Sequence, residues 1–258
     1  MIVRTLKAFW WTSLAAEMEY RVNFLTSTIS SLGMLLGTVF TVNVLYDKGY
    51  QFSGWSREAS YIVVALFTLM EGVTSSCLSP NLAKIVLHVQ RGTLDFILLK
   101  PLDAQFQLST RNLSPWGFPN VLFSIGLMLY AGIKLGLAWH QYLLGIVPVL
   151  LAVVILYSLW FMVGTTTIWF TKIWNATEVL RSFLEAGKYP MSAFHASVRF
   201  FLTFILPVAF VTTVPAEVIL GKKGPWFIIV EAAIAAGLFV AGRLFWKWAM
   251  RSYTSASS

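Results

Sequence analysis

The sequence predicts an all-α membrane protein: six transmembrane helices, preceded by an amphipathic helix lying along the membrane interface. Three observations predict it. Of the 258 residues 57% are hydrophobic and only 12% charged, which excludes an ordinary soluble globule. Stretches with little or no charge recur at lengths able to cross a hydrocarbon core of about 30 Å. Lys and Arg gather in alternate connectors. Six helices of about 22 residues use roughly 130 residues. No separate soluble catalytic domain then fits, and residues 1–258 read as a single transmembrane domain.

Taken in order, residues 1–20 place Ile2, Leu6, Phe9, Trp10 and Ser13 on one helical face and Arg4, Lys7 and Trp11 on the other, as an interface helix requires. They lack the long apolar core and cleavage site of a signal peptide. The first span, about residues 22–46, carries no charge. Within it Gly33 and Gly37 form a Gly-x-x-x-Gly pair extended by Ser30 and Thr26, a face that lets another helix approach closely, inside one subunit or across a dimer. The second span, about 59–80, holds one charge, Glu71, and the third, about 113–133, holds none. The fourth, about 142–163, is the apolar heart of a 37-residue uncharged run. The fifth, about 198–216, is interrupted by Pro207 and Pro215, and the sixth, about 224–243, encloses Glu231 and the small residues Ala233, Gly237 and Ala241.

Six crossings put both termini on one side. Fourteen Lys and Arg fall on that side and five on the other, so the positive-inside rule places both termini in the cytoplasm. The net charge of +8 is thereby explained as loop charge, and nucleic acid is not expected as a partner. Cys77 is the single cysteine, and His88, His140 and His195 lie more than fifty positions apart, so no metal-ligand spacing occurs. No phosphate-binding loop of the Gly-x-x-x-x-Gly-Lys-Ser/Thr type is present, so ATP-driven work needs a partner. Asn175-Ala176-Thr177 matches a glycosylation site by chance, since the charge count puts it in the cytoplasm. An importer-permease signature beginning at Glu231-Ala232-Ala233 is rejected, because it lies inside an apolar span and its later part is missing.

Two places carry candidate function. Glu71 and Glu231 lie inside spans, where an ionised carboxylate costs about 2.5–3.5 kcal/mol on insertion scales. Each should face the bundle or a wet cavity, as a gate or cargo contact or as a packing residue. The connector 84–111 is the longest on the cytoplasmic side. Arg91 and Asp95 are four apart and able to pair on a helix, Leu94, Ile97, Leu98 and Leu99 offer an apolar surface, and Pro101 ends it. Such a helix docks on a cytoplasmic surface or lies on the membrane.

Arg91-Gly92-Thr93-Leu94-Asp95 leading into Leu98-Leu99-Lys100-Pro101-Leu102, then Lys188-Tyr189-Pro190-Met191-Ser192, then Phe204-Ile205-Leu206-Pro207-Val208-Ala209-Phe210 and Pro215-Ala216, resembles the permease subunits of type-2 ABC exporters. The likeness is to a bacterial branch encoded beside a second permease and an ATPase, and it covers nearly the whole chain. It implies a six-helix permease in the bacterial plasma membrane, paired with itself or a sister chain, contacting membrane lipid, with two ATPase subunits beneath. ATP and magnesium would be held by the ATPase, and this chain would hold no cofactor and catalyse nothing itself. ATPase contacts would come from residues 1–19 and 84–103, with Arg91, Asp95, Leu98 and Lys100 as docking residues. The expected activity is export of a hydrophobic or amphipathic cargo. The alternatives are a membrane-embedded lipid-modifying enzyme and a non-transporting assembly factor.

Hydropathy and resemblance part between residues 174 and 220. Hydropathy makes 176–186 a cytoplasmic amphipathic helix and 200–216 the crossing, and this path is preferred because Glu178, Arg181, Glu185 and Lys188 are costly inside a span. The resemblance allows 175–189 to cross instead, with 200–216 a Pro-broken re-entrant piece.

Overall fold

The computed structural model describes residue 7 and residues 9–15, 21–170 and 176–253. Every regular element among them is helical. Only α1 (residues 9–15) of the interface helix is described, and residues 1–6, 8 and 16–20 lie outside the described residues. It rests on the chain just beyond the connector. Trp10 Nε1 donates to the Thr110 carbonyl at 3.1 Å, and Ser13 Oγ donates to the Leu113 carbonyl at 2.8 Å and accepts from its N–H at 3.1 Å.

Five helical stretches are long and apolar enough to cross a membrane: Val22–Asp47, Arg57–Gln90, Pro115–Leu135, Trp139–Ile168 and Trp226–Arg251. They contain α2 (Arg21–Asp47), α3 (Arg57–Val73), α4 (Ser79–Gln90), α7 (Phe118–Leu135), α8 (Trp139–Thr165) and α12 (Trp226–Arg251). Between α4 and α7 lie the short helices α5 (Leu94–Leu98) and α6 (Ala104–Thr110). After α8 come α9 (Ala176–Leu184), α10 (Ala196–Phe200) and α11 (Thr213–Ile219). The most apolar window of the α3–α4 stretch is 67% buried, against 11% for α2, so α3 is the central post and α2 stands at the rim.

Local chemistry sets the joints. Ser56 caps α3 by accepting from the Ala59 N–H at 3.1 Å. A π-turn over Thr74–Leu78 joins α3 to α4, and Pro80 follows it. Proline has no N–H to give the Ser76 carbonyl, and the Ser114 N–H takes that place at 2.9 Å. Asn81 seals the same joint: its Nδ2 donates to the carbonyls of Cys77 and Asn112, and its Oδ1 accepts from the Asn112 N–H, all at 2.7 Å. The missing side chains of Gly72 and Gly117 let α3 and the start of α7 touch. A Cβ at Gly117 would fall 2.1 Å from the Gly72 carbonyl oxygen.

The fifth segment does not follow the hydropathy path. Tyr189 packs its ring 6.2 Å from Phe52, in the loop between α2 and α3, and Lys188 Nζ lies 5.3 Å from the Phe67 ring centroid. At the far end of the segment, Lys222 Nζ donates to the Gly54 carbonyl at 2.6 Å and stands 3.9 Å over Trp55. Residues 189 and 222 therefore meet the same end of the bundle, called here the loop end. The chain between them consists of helical pieces Ala196–Ile205 and Val208–Ile219 bent by 72°, which enter and return. Pro207 sits at the bend and supplies no N–H to continue the helix. The reading of 198–216 as a crossing, with 176–186 outside the bundle, is thus corrected. Instead α9 and the turn Glu185–Lys188 run beside α3 and α8 up to the loop end. The charges that argued against this are handled locally: Arg181 pairs with Glu71, and Lys188 with Glu185, each at 3.0 Å, while Glu178 is exposed. The apolar edge of α9, Leu180 and Leu184, enters the core.

Candidate functional site

Ser27, Ser30, Ser31 and Thr38 follow helical spacing along one face of α2, and Thr68 and Glu71 of α3, with Ser75 of the π-turn that continues it, do the same. These faces line a cavity of about 210 Å³, with Trp116, Asn120 and Arg181 completing it. At its base Arg181 Nη2 donates to Glu71 Oε2 at 3.0 Å. The Glu71 side chain is 17% exposed and that of Arg181 44%, so the pair is reached from the groove although it lies midway along α3–α4. Groups of this kind hydrogen-bond a polar or zwitterionic moiety, while Met34, Leu35 and Phe67 offer apolar contact. Among the described residues no three His, Cys, Asp or Glu side chains are placed to share a metal ion.

Glu231 is elsewhere. It is fully buried on α12, and among the described residues neither carboxylate oxygen has a hydrogen-bond partner. The two cavities that Glu71 lines do not include Glu231, so these cavities do not bring the two intramembrane carboxylates together. Gly33 and Gly37 are exposed on α2, and a Cβ on either meets nothing within 4 Å. Among the described residues no other helix packs closely on them.

The connector is not one amphipathic helix. Gly92, at φ +66°, ends α4 in a turn, and α5 restarts at Leu94. Arg91 and Asp95 consequently do not share a helix, and no ion pair joins them, which corrects that expectation. Asp95 instead lies beside Tyr253, whose phenol is pushed up by burial and by that carboxylate. Leu94 and Ile97 enter the core, whereas Phe96 (68% exposed), Leu98 (41%) and Leu99 (80%) project outward beside exposed Arg91 and Lys100.

The way the connector is held is only partly visible in local sequence. Asp103 caps α6 by accepting from the Phe106 N–H at 2.9 Å, and the same carboxylate pairs with Arg243 of α12. The Arg243 guanidinium, with some help from the cap, holds the Asp103 carboxyl below the usual carboxylate range. Arg243 also donates to Gln105 Oε1 at 2.9 Å, and Gln105 Nε2 donates to the Tyr157 hydroxyl at 3.0 Å. One network thus ties the connector to α8 and α12. An acid two residues after a proline is a legible helix-start signal. Its partner 140 positions away is not.

The fold and these sites define a class: a multi-pass α-helical membrane protein with a polar groove at its rim and an exposed apolar connector at one end. The chain matches the family described as ABC-2 family transporter protein over residues 32–257, and it belongs to that family. It is a type-2 ABC permease, a membrane component of transport. No curated protein and no solved structure matches the chain.

Proposed function

We propose that this chain is the permease subunit of an ATP-driven exporter in the bacterial plasma membrane, with both termini in the cytoplasm and an amphipathic cargo moved along the groove between α2, α3 and α9. The observation that carries this is the groove itself, a hydroxyl-rich wall holding a Glu71–Arg181 pair at the rim of the bundle. Its polarity favours an amphipathic cargo over a purely hydrophobic one. A second permease, this chain again or a sister chain, closes the groove across α2, where Gly33 and Gly37 stand unopposed. An ATPase subunit, carrying ATP and magnesium, docks on Phe96, Leu98 and Leu99 with Arg91 and Lys100 at the rim of the contact. The two ionisable groups of the groove are paired with each other, which suits binding better than acid–base chemistry on a lipid. Co-expression with the neighbouring ATPase, followed by purification and vesicle transport of fluorescent amphiphiles, tests the proposal. Nucleotide-dependent efflux slowed at least tenfold by Glu71→Ala supports it. A stable complex whose efflux ignores the groove refutes the path.

A further inference from the structure

Where α4 meets the turn before α5, a cavity of about 300 Å³ opens between Lys84, Leu87, His88, Arg91 and Thr93. It lies at the connector end, two turns beyond the uncharged part of the α3–α4 stretch, where a membrane helix meets the headgroup layer. Lys84 and Arg91 line the cavity, and Arg111 directly precedes Asn112, whose side-chain oxygen holds Lys84. None of the three cations has an ion-pair partner among the described residues. Lys84 Nζ is steered by the Asn112 side-chain oxygen at 3.2 Å, and His88 Nδ1 lies 2.8 Å from Thr93 Oγ1, so two arms of the cavity are held in place. Elsewhere half-buried cations find carboxylates: Arg57 pairs with Asp47, Lys223 with Glu217 and Arg243 with Asp103.

We infer that this pocket binds the phosphate headgroup of an anionic phospholipid from the leaflet at the connector end. Lys84 and Arg91 in the recess, with Arg111 nearby, attract the negative charge of an anionic headgroup, and the Thr93 hydroxyl adds a donor. Leu87 forms an apolar wall for the start of an acyl chain, and Trp10 and Trp11, both exposed on α1, stand beside Arg111 through the Trp10–Thr110 bond, as interfacial aromatics do. A protein partner is less suited to a recess than to the projecting Phe96, Leu98 and Leu99. The bound lipid would brace α4 against the residues following α6, and so the connector on which the proposed ATPase docks.

The full chain, purified in mild detergent, can be exposed to equal amounts of phosphatidylglycerol and phosphatidylcholine and examined by native mass spectrometry. Phosphatidylglycerol should be retained at least tenfold over phosphatidylcholine at low salt, since two or more nearby cations each contribute a factor of about five. Lys84→Gln with Arg111→Gln should remove most of that preference, Lys84→Arg should keep it, and Lys134→Gln, at the loop end, should leave it unchanged. Identical elution of all variants in size exclusion excludes unfolding as the cause. Unchanged lipid preference in the double variant overturns the inference. If that variant sheds the ATPase while keeping its lipid, the cations belong to a protein contact instead.

Discussion

Placing Glu71 against Arg181 alters what either side chain can do alone. Glu71→Gln leaves Arg181 without its counter-charge, and breaking a buried pair by one partner costs about 3–5 kcal/mol. Partial exposure of Arg181 lowers the figure here to about 1–3 kcal/mol, the range for a charged hydrogen bond. Glu71→Gln with Arg181→Gln should then melt closer to the native chain than the sum of the single effects, and a thermal double-mutant cycle measures this. Strictly additive losses would show that the pair does not act as a unit. Asp103 allows a sharper separation. Asn caps a helix as well as Asp does, so Asp103→Asn removes only a partly exposed ion pair worth about 0–1 kcal/mol, whereas Asp103→Ala also loses a cap worth about 1 kcal/mol. Because Arg243 depresses this carboxyl, the pair's contribution is present above the ordinary Asp pKa and is lost as pH falls through the depressed folded value. Acid titration of the melting temperature should therefore show a drop below the usual carboxylate range that Asp103→Asn abolishes. At this scale the sequence exposed Glu71 as costly but not its remedy, since a partner 110 positions away leaves no trace in local spacing.

Single elements divide into those whose boundaries local chemistry dictates and those that tertiary contacts override. Charge-free runs made α2 and α7 legible. Hydropathy failed at α9, because it counts each charge as if unpaired and cannot know that Arg181 will meet Glu71. It failed again at 198–216, where apolar content suggested a span but Pro207 bends the chain back. A cysteine at Ser197, in a chain with Cys77→Ser, should react with an impermeant thiol reagent under the same conditions as one at Lys48 of the loop end and not with one at Lys100 of the connector. Labelling in step with Lys100 would restore the hydropathy path. Two glycines make a paired test of packing. A Cβ at Gly72 falls 2.7 Å from Val121 Cγ2 and 2.9 Å from the Gly117 carbonyl, while one at Gly37 meets nothing. Gly72→Leu should lower the yield of folded protein severalfold by overpacking. Gly37→Leu should leave folding intact and, if α2 meets a second permease, weaken that association in cross-linking yield.

Over the whole molecule, the proposed function requires the groove and the connector to answer to one another, and the structure offers a physical link. The connector is fixed to α12 through Asp103 and Arg243 and to α4 through Asn81 and Asn112, while α4 continues α3, which carries Glu71. A force on α5 thus reaches the groove through the turn at Gly92 and then along the α4–α3 stretch. The proposed orientation also bears on this. Moving Lys188 and Arg199 to the loop end narrows the excess of cationic residues on the terminal side without reversing it, so the connector still faces the cytoplasm under the positive-inside rule. In the proposed exporter an ATPase grips the exposed apolar tip of that connector. A photo-reactive residue at Leu99, 80% exposed, tests it directly in membranes containing the co-expressed ATPase. Cross-linking to the ATPase, competed away when Phe96 and Leu98 are replaced by Asp, is the result the account predicts. Cross-linking to lipid alone, with the ATPase still bound and coupled in the Phe96→Asp, Leu98→Asp variant, would contradict it.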